Sequence, residues 1–220
     1  DKDFKKAMNG LGSRCDAADI GLFGRMVAEG TNLSMEAACQ VAHAISTHAV
    51  ALETDFYTAV DDRNPSEDTG AGMMGVVEFN SACMYRYAVV DTDQLLQNLQ
   101  GEASSVAAAT VGFLKASVAA IPSGKQNSFA AHNPPAYVRV RVRDSGAPWS
   151  MANAFCKPVR VRRDDDLTEL SVAALERHDA DMRAMYGSEG IVFDEVAALS
   201  GDHRTTDLQG LWRGVEELMA

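Results

Sequence analysis

Residues 68 to 75 read DTGAGMMG and carry two chemical signatures at once. Asp68-Thr69-Gly70 has the form of an aspartyl-protease motif, in which two facing carboxylates share one proton. Gly70, Gly72 and Gly75 have the spacing of a dinucleotide-binding loop. That loop needs a buried strand before its first glycine and a helix after its third, so that the helix N-terminus meets the pyrophosphate; here DDRNPSED precedes and VVEFN follows. The protease needs a second aspartate, and no second DTG occurs, so only a homodimer could supply the partner charge. His43 and His48 lack the H-E-x-x-H order of a zinc helix and read as two histidines in or beside a strand. Asp61 and Asp62 could hold a magnesium ion for phosphodiester chemistry, but such a site needs further ligands, and a solvated pair beside a polar loop is the simpler reading. Asn32-Leu33-Ser34 is formally a glycosylation sequon, without meaning in a cytoplasmic chain. The expectation is a chain with no catalytic constellation, no cofactor and no metal.

Composition sets the frame for these residues. A content of 46% hydrophobic and 23% charged residues over 220 positions suits one large or two small globular domains with a buried core. No apolar run approaches the roughly 18 to 20 residues that cross a bilayer, and the opening DKDFKKAMNG lacks the apolar centre of a secretory signal, so a cytoplasmic chain without membrane contact is expected. Cys15, Cys39, Cys83 and Cys156 are scattered with no C-x-x-C pair, which predicts reduced, buried thiols. The first residue is not Met, and the chain is expected to be a fragment of a longer one. A net charge of −11 argues against a generic nucleic-acid coat, because phosphate binding depends on clustered Lys and Arg. The charge is uneven, however: YVRVRVR at 137 to 143 is followed by Lys157, Arg160, Arg162 and Arg163, while 61 to 68 and 164 to 169 are acidic.

The periodicity predicts the elements that hold these groups. Ile20, Phe23, Met26 and Val27 recur at helical spacing over 16 to 29. The segment 36 to 50 is alanine-rich, but Val41, His43, Ile45 and Thr47 alternate, and its second half reads as strand. The extended pattern runs on to 62 and gives way to the turn-rich RNPSEDTGAG. Residues 76 to 90, rich in aromatic and β-branched side chains, read as strand with a bend near Asn80-Ser81. Asp91 or Thr92 can cap a short helix bearing Leu95, Leu96 and Leu99, and a longer helix spans 102 to 119 before Pro122. Residues 136 to 142 alternate valine with arginine, giving a strand with one apolar and one cationic face; the latter reads equally as phosphate contact or as a solvated outer face. Helices are predicted over 167 to 185 and 205 to 219. The order is that of an α+β fold with antiparallel strands.

In ETDFYTAVDD, at 53 to 62, adjacent Phe56 and Tyr57 point to opposite faces if the segment is extended. Either the pair packs in a core, the commoner outcome for such a pattern, or an aromatic hairpin with a DTGAG tip meets bases or a neighbouring subunit.

The segments ADIGLFGRM (18 to 26), VAHAISTHAVALETDFYTAVDD (41 to 62), GVVEFNSACMYRYAVVDTDQL (75 to 95), PSGKQNSFAAHNP (122 to 134) and PWSMANAFCKPV (148 to 159) resemble, in order, the CasC or Cse-type backbone subunit of the type I-E CRISPR surveillance complex Cascade. The resemblance implies a hand-shaped subunit with an RRM-like antiparallel palm sheet, flanking helices and a protruding β-hairpin thumb. Residues 1–35 would be a remnant of the helical finger, 36–52 and 81–220 the palm with its C-terminal helices, and 53–80 the thumb. It implies a non-enzymatic protein that binds CRISPR RNA, polymerises with further copies of itself and with other Cascade subunits, and supports pairing of the guide with a target DNA strand. Phe56, Tyr57, Thr58 and Val60 would meet the guide or its duplex, Arg25 and Met26 would lie beside a displaced nucleotide, and Lys125 and Gln126 would touch the RNA backbone. The family pattern also has an N-terminal segment with the first palm strand, much of the finger and a Lys/Arg- and Ser-rich phosphate grip. None of these is matched here, so the palm sheet is expected to be incomplete and the basic groove missing. The alternatives left open are a metal-dependent nuclease built on Asp61 and Asp62, and an interaction scaffold that needs no RNA.

Overall fold

The computed structural model describes residues 17–26, 34–59 and 73–220. It is an α+β chain whose four ladders of named strands are all antiparallel and two-stranded among the described residues. The chain divides into two compact units. One comprises residues 1–43, 87–150 and 181–220, the other 44–86 and 151–180.

In the first unit, helix α1 (Ala18–Phe23) precedes strand β1 (Cys39–Val41), which pairs with β6 (Ala88–Val90) in the register Cys39 to Val90. Of the two caps the sequence offers, Asp91 is the one used at helix α2 (Thr92–Asn98), its carboxylate accepting from the amides of Asp93 and Gln94. Leu95 and Leu99 of this turn region pack with Leu22, Ala38, Cys39 and with Val106 and Ala109 of α3 (Ala103–Ala119). Burial pushes the Cys39 thiol up from its ordinary value. After the single helical turn α4 (Gln126–Phe129) comes strand β7 (Tyr137–Arg143). The valines of β7 face a second apolar cluster made with Val111, Ala197, Leu211, Trp212 and Val215, the last three from α6 (Leu208–Met219). Opposite β7 lies β8 (Ile191–Ala198), a strand the sequence reading does not contain.

In the second unit, β2 (Ile45–Ser46) pairs with β5 (Met84–Tyr85), and β3 (Glu53–Ala59) pairs with β4 (Met73–Phe79). Asn80 to Cys83 interrupt the predicted strand at the expected bend. Tyr85 ties this unit together: its hydroxyl accepts from the Met151 amide at 2.9 Å, and its ring sits 5.6 Å from that of buried Phe155. The first part of helix α5 (Leu167–Tyr186) adds a buried hydroxyl pair, Thr47 and Ser171, 2.8 Å apart. Ser171 donates to the Leu167 carbonyl, so Thr47 is the donor of the pair.

One expectation needs correction. Of the three described cysteines only Cys39 is buried; Cys83 is half-buried and Cys156 exposed, because both lie in irregular segments rather than on the apolar face of an element. Gly75 lies inside strand β4 with no helix after it, which removes the dinucleotide loop on geometry as well as sequence. Among the described residues no group of three or more His, Cys, Asp or Glu could hold a metal ion, and no helix is long and apolar enough to cross a membrane.

Candidate nucleic-acid interface

The β3–β4 hairpin is the most exposed regular structure described. Seven consecutive pairs run from Glu53 opposite Phe79 to Ala59 opposite Met73, and every residue of β3 is exposed. Phe56 is 69% exposed, beside Val76 and Met74 on one face; Tyr57 is 43% exposed on the other, with Met73 and Phe79. Core packing of the aromatic pair is thereby ruled out for Phe56. Tyr57 keeps its place through Gly75, directly opposite it: a Cβ there would lie 2.5 Å from the ring, so the missing side chain is what lets the phenol lie flat across the neighbouring strand. Thr58 is exposed next to it. Val60, Asp61, Asp62 and the DTGAG stretch lie outside the described residues.

Arg25 and Met26 follow α1. The Arg25 amide donates to the Met35 carbonyl at 2.9 Å and the Met35 amide returns a bond to Arg25 at 2.8 Å, so the chain is pinched shut at this point. Gly24, at φ 74°, makes the pinch possible, because a Cβ there would come within 2.7 Å of the Met35 carbonyl oxygen. Met26 is 94% exposed. An open cavity of about 500 Å³ is lined here by Phe23, Gly24, Arg25, Met26, Ser34, Met35 and Glu36.

Lys125 and Gln126 are neighbours with opposite orientations. Lys125 is exposed in the left-handed region at φ 56°, its ammonium 5.8 Å from the Phe129 ring. Gln126 turns inward and donates to the Pro122 carbonyl at 2.8 Å and the Ala131 carbonyl at 3.4 Å, closing its own loop.

The cationic face of β7 is neither a bare phosphate grip nor a solvated surface. Arg139 forks both oxygens of Asp194 at 2.6 and 2.8 Å, Arg141 reaches the same carboxylate at 2.9 Å, and Arg183 of α5 binds it too. Arg141 and Arg143 lie over the Trp149 ring at 5.5 and 4.5 Å, and Tyr186 packs on that indole at 6.2 Å. Burial by itself would push the Asp194 carboxyl up, but hydrogen bonds and charge from Arg139 and then Arg141 outweigh it and hold the group below its ordinary value. Sequence reading missed this centre because it missed β8. The available signals were the β-branched start of IVFDEVAA and the flanking Gly187 and Gly190.

The structure therefore groups Arg25 with Met26, Lys125 with Gln126, and Phe56 with Tyr57 and Thr58. A family model described as CT1975-like protein matches residues 1–218 of the chain. No curated protein matches it. Among solved structures, a chain of a "CRISPR RNA-guided surveillance complex, pre-nicking" is similar with a TM-score of 0.83 and 30% identity, over 98% of this chain and 58% of that one. A chain of a "CRISPR RNA-guided surveillance complex" is similar with a TM-score of 0.79 and 30% identity, over 98% of this chain and 82% of that one. The chain thus spans less than two thirds of the first relative's length.

Proposed function

The chain belongs to the CT1975-like protein family, and from that premise we propose that it is a non-catalytic, CRISPR RNA-binding backbone subunit of an RNA-guided surveillance complex, of the CasC or Cse type found in type I-E Cascade. It polymerises with further copies of itself along the guide, joins other subunits of the complex and supports pairing of the guide with the target DNA strand. The observation that carries this reading is the β3–β4 hairpin, a two-stranded ribbon that offers Phe56, Tyr57, Met73, Met74 and Val76 to solvent. Such a ribbon is marginal alone and its apolar surface is suited to an external partner. Similarity to chains of two surveillance complexes supports the identity of that partner.

In this reading residues 53–80 are the thumb, 1–35 belong to the finger, and 36–52 with 81–220 form the RRM-like palm. Phe56, Tyr57, Thr58 and Val60 stack on or wedge against the guide or its duplex, and Arg25, Met26 and Lys125 run along the RNA. Gln126 contributes by shaping the loop that presents Lys125. Sequence choice is left to base pairing, so sequence-neutral stacking and phosphate attraction suffice.

The test is to purify the full chain and identify the nucleic acid that accompanies it, then to incubate it with labelled single-stranded RNA and Mg²⁺ or Mn²⁺. CRISPR RNA that stays intact is the expected result. Cleavage that vanishes in Asp61→Ala would establish the metal-dependent nuclease instead. One observation favours a second reading, the RNA-independent scaffold: the described hairpin residues include Glu53, Asp55 and Glu78 and no Lys or Arg, a charge suited to a basic protein surface. Filaments free of nucleic acid would support that alternative.

A further inference from the structure

We infer that Asn98 is a positioning residue that delivers Arg25 and Met26 to the guide RNA, a role that rests on the function proposed above. Asn98 ends helix α2 among leucines and is only 8% exposed, where an amide is costly unless its hydrogen bonds are made. They are made to two particular carbonyls. One Nδ2 proton goes to Gly21 at 2.8 Å and the other to Glu36 at 2.9 Å. Gly21 lies on the stem that leads into Arg25 and Met26, and Glu36 lies on the stem that returns from Met35. The Gly21 carbonyl belongs to the last turn of α1, and the Arg25 amide that would meet it four residues on bonds Met35 instead, so the Asn98 amide acts as a cap from another element.

The amide is also held in one orientation. Gln94, one turn earlier, donates from Nε2 to Asn98 Oδ1 at 3.0 Å. Reversing the Asn98 amide would set its oxygen against two carbonyl oxygens and its NH₂ against that of Gln94. An apolar residue could fill the same volume. Only a side chain with two diverging donors also fixes the separation of the two stems. The Arg25–Met35 bridge and the close approach at Gly24 complete the clamp, and the cavity bearing Phe23, Arg25 and Met26 opens above it.

The experiment is a double-mutant cycle on the full chain with single-stranded guide RNA, read as affinity against salt, using Arg25→Ala and Asn98→Asp. The aspartate keeps the shape and loses both donors. Arg25→Ala is expected to weaken binding about tenfold and to reduce the salt slope by about 0.7. Asn98→Asp should reproduce both effects and add less than about twofold when Arg25 is already Ala, because it acts through that residue. Hydrogen exchange supplies a readout that a purely structural role would not move selectively. The amides of Arg25 and Met35 should exchange faster in Asn98→Asp, while those of Val106 to Val111 in α3 keep wild-type protection. If Asn98→Asp does not fold, Gln94→Leu, which frees the amide to turn without removing it, carries the same cycle. Loss of affinity in Arg25→Ala with none in the Asn98 or Gln94 variant, or losses that simply multiply, would overturn the inference alone. An Arg25→Ala chain that binds as tightly as wild type would overturn the assignment of Arg25 itself.

Discussion

At Phe56 and Tyr57 the question is what an exposed aromatic is for. Truncating a buried Phe costs about 3 to 5 kcal/mol, but Phe56 is mostly in solvent and its partner Val76 is exposed as well. Replacing both aromatics by Ala should therefore leave the melting temperature of the RNA-free chain nearly unchanged. Guide binding should weaken by about 1 to 3 kcal/mol for each base that no longer stacks on a ring. Melts run beside RNA titrations check this, and a large fall in melting temperature with unchanged affinity would remove the thumb assignment. Gly75→Ala asks the same question without touching an aromatic. Its methyl group would occupy the space of the Tyr57 ring, so the ring must swing off the ribbon. If ring placement matters for the RNA, this variant should weaken binding about as much as Tyr57→Ala does.

Among the elements, the β7–β8 pair is where charge supports the fold. Asp194→Asn removes the carboxylate on which Arg139, Arg141 and Arg183 converge, and should cost about 3 kcal/mol in urea unfolding at pH 7. Because the folded carboxyl titrates below its ordinary value of 3.8, its stabilisation is fully present above that value. It is lost as the pH falls from there through the depressed folded value. Wild-type stability should therefore drop over that acid range, and Asp194→Asn should show a shallower drop. The elements were legible in sequence wherever one periodicity dominated. The valine–arginine alternation of β7, the leucine spacing behind Asp91, and the run from 167 all appear in the fold within about two residues. β8 was not legible from apolar content alone, since Asp194 and Glu195 sit side by side in its middle and break the alternation. Asp194 reads as a strand residue only when the arginines it meets are known. The same reason hid Asn98: a polar residue on a leucine helix looks like its solvent face until the carbonyls it binds are located.

For the whole molecule, a net charge of −11 and an RNA-binding role are compatible only if cations are concentrated where phosphates pass. The arginines of β7 do not supply that concentration, because they are tied to Asp194 and Trp149. If Arg25 and Lys125 carry phosphate contacts, affinity should fall by about 0.7 of a log unit per log unit of salt for each phosphate neutralised, and should vary little among RNA sequences. Titrations of several unrelated RNAs at a series of salt concentrations read both quantities. A flat salt response, or strong preference for one sequence, would move recognition from the backbone to the bases. The Asp194 carboxylate also has a consequence in time. Arg143 leaves the ribosome about 50 residues ahead of Asp194, an interval of roughly 3 to 10 seconds at ordinary rates of synthesis. During that interval β7 is a nascent cationic strand beside ribosomal and messenger RNA, without the carboxylate that later gathers its arginines. Completion of β8 is then the step that withdraws the strand from polyanions, and a chain halted before residue 194 should hold RNA through Arg139 and Arg141, contacts that the finished chain gives up to Asp194.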